Sequence, residues 1–221
     1  MHIQRYQFNS TVWVQSWLNG NYEGSKLSGQ GLISYDTNSK GFGKCSYPEG
    51  SHGYFTGVSS AVFNSAVSCG MCLKVTNPKS KSSVVVHVVD QCISCQEGDL
   101  NMNKLAYSVI GDFTAGTIKA VWEQVRCPTM GPLMYYWDKY SDDWNALLQV
   151  RNPAYPVQSV EIQQEDGWTP LKLRDDNHWE LKRMGSGPFN IKVRGTNGNI
   201  VMDNNVSMNK LELPVYSDGQ L

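Results

Sequence analysis

No apolar run in the 221-residue chain approaches the roughly 20 residues that a bilayer-spanning helix requires. An excess of positive charge is also missing. Lys and Arg number 19, Asp and Glu 20, and the formal net charge is −1, which is not the footprint of a nucleic-acid binder. The first 17 residues lack the unbroken apolar stretch of a secretory leader, so for an exported protein that leader is expected to lie outside this sequence. Internal repeats and low-complexity tracts are absent, and cysteine does not occur after Cys127. Neither His87 nor His178 has a neighbouring Ser or Cys arranged as a nucleophile with its base, so structural or surface roles are expected for both.

What is present describes a folded chain with two cores. Hydrophobic residues make up 40% and charged residues 18%, a balance that buries apolar surface instead of leaving the chain disordered. The length suits two domains of about 100 residues each. Composition changes at Cys127-Pro128-Thr129-Met130-Gly131-Pro132, where proline and glycine punctuate a short linker. The expected division is an unassigned extension over 1–28, a cysteine-bearing domain over 29–128 and a cysteine-free domain over 133–221.

The first domain reads as strand with short helices. Ser82–Val89 is β-branched and of strand length, and Thr117–Glu123 alternates apolar and polar residues. Asn103–Ile110 reads as a helix closed by Gly111, and Ser60–Phe63 as a second short one. An irregular β-barrel fits this pattern. In the second domain, short strands at Leu147–Val150, Val160–Ile162, Trp179–Leu181 and Asn190–Arg194 alternate with turns at Asp166-Gly167, Gly185–Gly187 and Asn197–Asn199. That spacing predicts a β-sandwich.

The six cysteines are Cys45, Cys69, Cys72, Cys92, Cys95 and Cys127. Cys69-x-x-Cys72 and Cys92-x-x-Cys95 match a zinc-ribbon spacing, since four thiolates on two such knuckles close a tetrahedral site. That reading strands Cys45 and Cys127 and places the strand Val84–Val89 where a ribbon more often has a hairpin. Three disulfides account for all six and are favoured, with no metal and no cofactor expected. A redox role for either pair lacks the surrounding βαβ context.

Several segments resemble the expansin family. Ser60–Cys72 is similar to its helix leading into a CGxC pair, and Gly43–Tyr47 to its upstream glycine-cysteine-aromatic motif. Val88–Asp90 with Leu100–Gly111 is similar to the groove aspartate and the helix that follows it. Trp144–Pro156, Asp166–Trp168, Asn177-His178 and Gly185–Gly187 then match the second module in order. The resemblance covers about residues 29 to 205. It implies an all-β protein: a six-stranded double-psi β-barrel with short helices, followed by an immunoglobulin-like carbohydrate-binding β-sandwich, the two sharing an open polysaccharide groove. It also implies the pairs Cys45–Cys69, Cys72–Cys127 and Cys92–Cys95.

The same resemblance locates candidate residues. Its barrel is shared with inverting endoglucanases, which need a carboxylic acid and a carboxylate base about 6.5–9.5 Å apart. Asp90 falls on the first groove aspartate. The acid position falls on Asn101, whose amide donates hydrogen bonds but no acidic proton. Asp99, two residues earlier, is the alternative occupant of that position. Ser34 replaces a family threonine, with Tyr35 after it. Asp36 is a weaker candidate because a one-residue offset changes the face of a strand. Cys92 stands where relatives often carry a tyrosine. On the sandwich only Trp144 carries over from the family's aromatic row. The later aromatic position is Asp176, and a family lysine is replaced by Asp138 with Lys139 beside it. Tyr136, Trp137 and Tyr140 are candidates to rebuild the row, although Tyr136 and Trp137 cannot both face a ligand on one strand. Trp168 and Trp179 are expected in the sandwich core.

The expected function is a secreted, monomeric, non-hydrolytic wall-loosening protein with no assigned catalytic residue. Its partner is a cell-wall polysaccharide such as cellulose or xyloglucan, with peptidoglycan as a further possibility and no nucleic acid or membrane. The alternatives are a glycan-cleaving enzyme on the same barrel, either an endoglucanase or a lytic transglycosylase resembling rare lipoprotein A, and a zinc-ribbon interaction protein. For the transglycosylase, Val75–Pro78 followed by Val84–Asp90 supplies the likeness.

Overall fold

The computed structural model describes residues 27–37, 43–211 and 213–221. The expectation for 1–28 therefore lies almost wholly outside the described residues. Among the described residues no helix is long and apolar enough to cross a membrane.

Six strands close the first barrel: β1 (Ser28–Asp36), β2 (Phe55–Ser59), β3 (Cys72–Thr76), β4 (Ser83–Cys92), β5 (Leu100–Asn103) and β6 (Ile118–Val125), in the order β1-β5-β2-β4-β3-β6. Two pairings, β1 with β5 and β2 with β4, are parallel in an otherwise antiparallel ring. The β-branched run at Val84–Val89 forms β4, as its composition dictates, with Val86 and Val88 wholly buried. Among the described residues two α-helices sit on the ring, α1 (Ser60–Phe63) and α2 (Lys104–Ile110). Asn103 caps α2 by accepting from the Ala106 amide, and Gly111 follows its last turn.

Nine strands form the second domain. They are β7 (Met134–Trp137), β8 (Asn145–Arg151), β9 (Val157–Gln164), β10 (Gly167–Pro170), β11 (Lys172–Leu173), β12 (Trp179–Lys182), β13 (Phe189–Gly195), β14 (Ile200–Val206) and β15 (Val215–Tyr216). They assemble as a four-stranded sheet β10-β9-β13-β14 facing a five-stranded sheet β11-β12-β8-β7-β15. The core between them takes alternate residues of each strand, including Trp137, Leu148, Ile162, Trp179 and Ile191.

Trp179 is therefore where the sequence puts it, whereas Trp168 is not. It lies half-buried opposite Gln163, on the outer face of its sheet, with the Lys192 ammonium 4.7 Å from its ring centre. Ile162 fills the core, so its neighbour Gln163 and the residue paired with it point outward.

Candidate functional site

The parallel pairing of β1 and β5 puts Ser34 opposite Asn101 and Asp36 opposite Asn103. The Ser34 hydroxyl lies 3.1 Å from Asn101 Oδ1, so it donates to the amide oxygen. Across β2, Gly57 pairs with Asn101 on one side and with Asp90 on the other. With no side chain at Gly57, Asp90 and Asn101 border one recess of about 50 Å³ together with Asp36, Gln91 and Cys92.

Asp90 helps to build this recess. Its Oδ1 accepts from the Lys44 amide at 2.7 Å and the Gln91 amide at 2.8 Å, fastening the loop at Lys44 onto β4. Lys44 extends the rim. Its ammonium reaches Gln91 Oε1 at 3.1 Å and Asp175 of the sandwich at 3.3 Å, so barrel and sandwich meet beside the recess.

The sandwich residues next to that junction are polar. Arg174 and His178 flank Asp176 at 3.2 and 3.4 Å. Burial works to raise the Asp176 pKa, but His178 and the Arg174 guanidinium outweigh it and hold the carboxyl below the usual range. Of the sandwich candidates, Trp144 is 66% exposed and Tyr140 80% exposed, with Lys139 over the Tyr140 ring. Asp142 fixes the Trp144 turn by accepting from the amides of Trp144 and Asn145, bonds that keep its pKa low.

All six cysteines are bridged: Cys45 to Cys69, Cys72 to Cys127 and Cys92 to Cys95. Cys72, Cys127 and His87 have side-chain donor atoms within 4.8 Å of one another, but the two sulfurs are bonded to each other. The four-thiolate zinc alternative is thereby overturned, because no thiolate remains to bind.

The Barwin family pattern matches residues 18–127. Expansin-YoaJ of Bacillus subtilis (strain 168) is 30% identical over 138 residues, which cover 62% of this chain and 59% of that protein. Expansin-like protein 3 of Dictyostelium discoideum is 24% identical over 200 residues, covering 87% of this chain and 57% of that one. The chain spans less than two thirds of the length of these curated relatives. The crystal structure of an apo expansin from Clavibacter michiganensis superposes with a TM-score of 0.80 at 30% identity, over 88% of this chain and 98% of that one. A point mutant of that expansin, solved in complex with cellohexaose, superposes equally well. The chain belongs to the expansin family.

Set against the expansin pattern, the candidate residues divide. Ser34, Asp90 and Asn101 come together around the recess, and Asp36, the weaker candidate, joins them there. Tyr35 does not. It alternates with Ser34 along β1, so its ring packs on Tyr107 of α2 at 4.7 Å and on Phe113 at 5.1 Å. Asp99 is not among the residues that line the recess either. Oδ1 accepts from the Leu32 amide at 2.7 Å and Oδ2 from the Gln96 amide at 3.1 Å, so the carboxylate ties a turn to β1.

Trp137 leaves the binding surface as well. It is 1% exposed and packs on Phe189 in the sandwich core at 5.3 Å, as the alternation of β7 requires. Tyr136 faces outward but lines a different cavity, with Arg151 stacked 3.8 Å above its ring. Lys44 and Gln91 are rim residues that sequence reasoning missed, since their role depends on a loop folding back onto β4.

Proposed function

We propose that this expansin-family protein binds cellulose-type or hemicellulosic wall polysaccharide outside the cell and loosens its non-covalent contacts without cutting the chain. Family membership and the cellohexaose complex of the Clavibacter relative support a polysaccharide ligand. The observation that carries the non-hydrolytic reading is Asn101, hydrogen-bonded to Ser34 where a proton-donating carboxyl would be needed. Trp144 and Tyr140 offer ring faces to sugar C–H surfaces, and Asp90, Asn101 and Gln91 offer hydroxyl partners at the recess. Three disulfides fit an oxidising, extracellular setting. The working units are 29–128 for the barrel and 133–221 for the sandwich.

One observation favours a second reading, glycan cleavage: Asp36 and Asp90 border the same recess, so two carboxylates are present. A single experiment separates the readings. Purified protein is incubated with cellulose, xyloglucan and peptidoglycan, and retention and new reducing ends are measured in the same tubes. Retention on cellulose or xyloglucan that falls at least fivefold in Trp144→Ala, with no new reducing ends, is the expected result. Sugar release abolished by Asp36→Asn or Asp90→Asn would replace binding with hydrolysis.

A further inference from the structure

A cavity of about 490 Å³ opens between the barrel and the sandwich, and none of its lining residues belongs to the groove recess. Its size and its position between two domains are those of small-ligand sites. One wall comes from the barrel, where Tyr47, His52 and His87 pack in series with ring centres 4.9 and 4.5 Å apart. The opposite wall comes from the sandwich, where Tyr136 lies beneath the Arg151 guanidinium and Asn152 follows.

The lining has a definite chemical character. Carboxylates are absent from its lining, and Arg151 is its one formal charge. That guanidinium is already engaged, stacked on Tyr136 and donating through Nε to Gln149 Oε1. Burial, then the charges of His87 and Arg151, pull the His52 pKa down to about 4, and burial also lowers that of His87. Both imidazoles are therefore neutral near neutral pH, and with His52 Nδ1 held by Ser51 and the His87 ring bonded to the Tyr54 backbone, each has one ring nitrogen left to offer. Ser51 Oγ, 2.9 Å from His52 Nδ1, orients the first ring.

Aromatic rings beside uncharged imidazole nitrogens and hydroxyls match a pyranose, which has a C–H face and a rim of hydroxyls. We propose that the cleft is a second carbohydrate site, taking one neutral pyranose unit, so that the protein engages sugar at two separate places. The choice of ligand rests on the wall-polysaccharide reading above. The site itself shares no residue with the groove on which that reading stands.

The chain has four histidines, so imidazole C–H signals in a proton–carbon NMR spectrum of the oxidised, full-length protein are few and assignable by substitution. The probes are methyl β-glucopyranoside, methyl α-xylopyranoside, methyl β-glucuronide and cellohexaose. The neutral glycosides are expected to shift the His52 and His87 signals saturably. Tyr136→Ala and the gentler Ser51→Ala are expected to raise the half-saturating concentration at least tenfold and threefold. Cellohexaose that moves the Trp144 indole signal while every glycoside leaves His52 and His87 unmoved would overturn the second site and leave the groove reading intact. Silence at Trp144 and at both histidines would overturn both. Tighter binding of the glucuronide than of the neutral glycosides would overturn the assigned ligand class.

Discussion

Replacing Gln149 and Asn177 together by alanine should uncouple the two halves of the molecule. Gln149 is completely buried, and its Nε2 donates to the Cys45 carbonyl at 2.9 Å. Asn177 Nδ2 donates to the same carbonyl at 3.2 Å, so one barrel oxygen receives two sandwich amides. A buried neutral hydrogen bond contributes about 1 kcal/mol net, and a carbonyl left without a donor costs about 1–3 kcal/mol more. Docking should therefore weaken by about 3–5 kcal/mol on the same scale. The Lys44–Asp175 pair beside the latch is solvent-exposed on both sides and offers little to replace it. The assay is differential scanning calorimetry combined with small-angle X-ray scattering. The parent should melt in one transition. The double variant should show two, with the unbridged sandwich melting first, and a larger radius of gyration. Asn177→Ala alone should lie between them, since it leaves the Gln149 bond in place. A double variant that melts in one transition, less than about 1 kcal/mol below the parent and with unchanged dimensions, would refute the reasoning.

Three further outcomes are expected. In the chain-entropy model, bridges closing 55, 24 and 3 residues are worth about 4, 3.5 and 1.6 kcal/mol, so Cys→Ser pairs should destabilise in the order Cys72–Cys127, Cys45–Cys69, Cys92–Cys95 in urea titrations. Because burial holds folded His52 at about 4, below its ordinary value near 6.5, the unfolded chain binds the extra proton between those limits. Its contribution is complete above about pH 6.5 and is lost as pH falls toward 4, and His52→Asn should flatten that part of the stability–pH curve. Asp203 is buried and accepts from Tyr135 at 2.6 Å, Ser217 at 2.7 Å and the Asp218 amide at 2.7 Å. Asp203→Ala strands these donors and should cost about 3–5 kcal/mol by urea denaturation, with Asp203→Asn costing less.

The sequence carries the elements of this fold more plainly than their faces. β-Branched composition marks β4, an asparagine cap and a terminal glycine mark α2, and Ser60–Phe63 emerges as the short helix its residues suggest. Which side of a strand meets solvent is harder to read in a small barrel, because helices cover part of its outer surface. Tyr35 is the instance: one residue from Ser34, it turns to the helix side and packs on Tyr107. Asp99 has the right residue type near the right place, yet two backbone amides claim its oxygens, and nothing in the local sequence announces them. Trp137 and Trp168 exchange the surroundings expected for them because register, which strand composition does not encode, decides which of two neighbours enters the core. The place of Asn101 on the recess wall is legible, since the helix after it fixes the count along the chain.

The latch oxygen belongs to Cys45, which is itself pinned to Cys69. The bond that closes a loop in one lobe therefore also steadies the single oxygen by which that lobe holds the other.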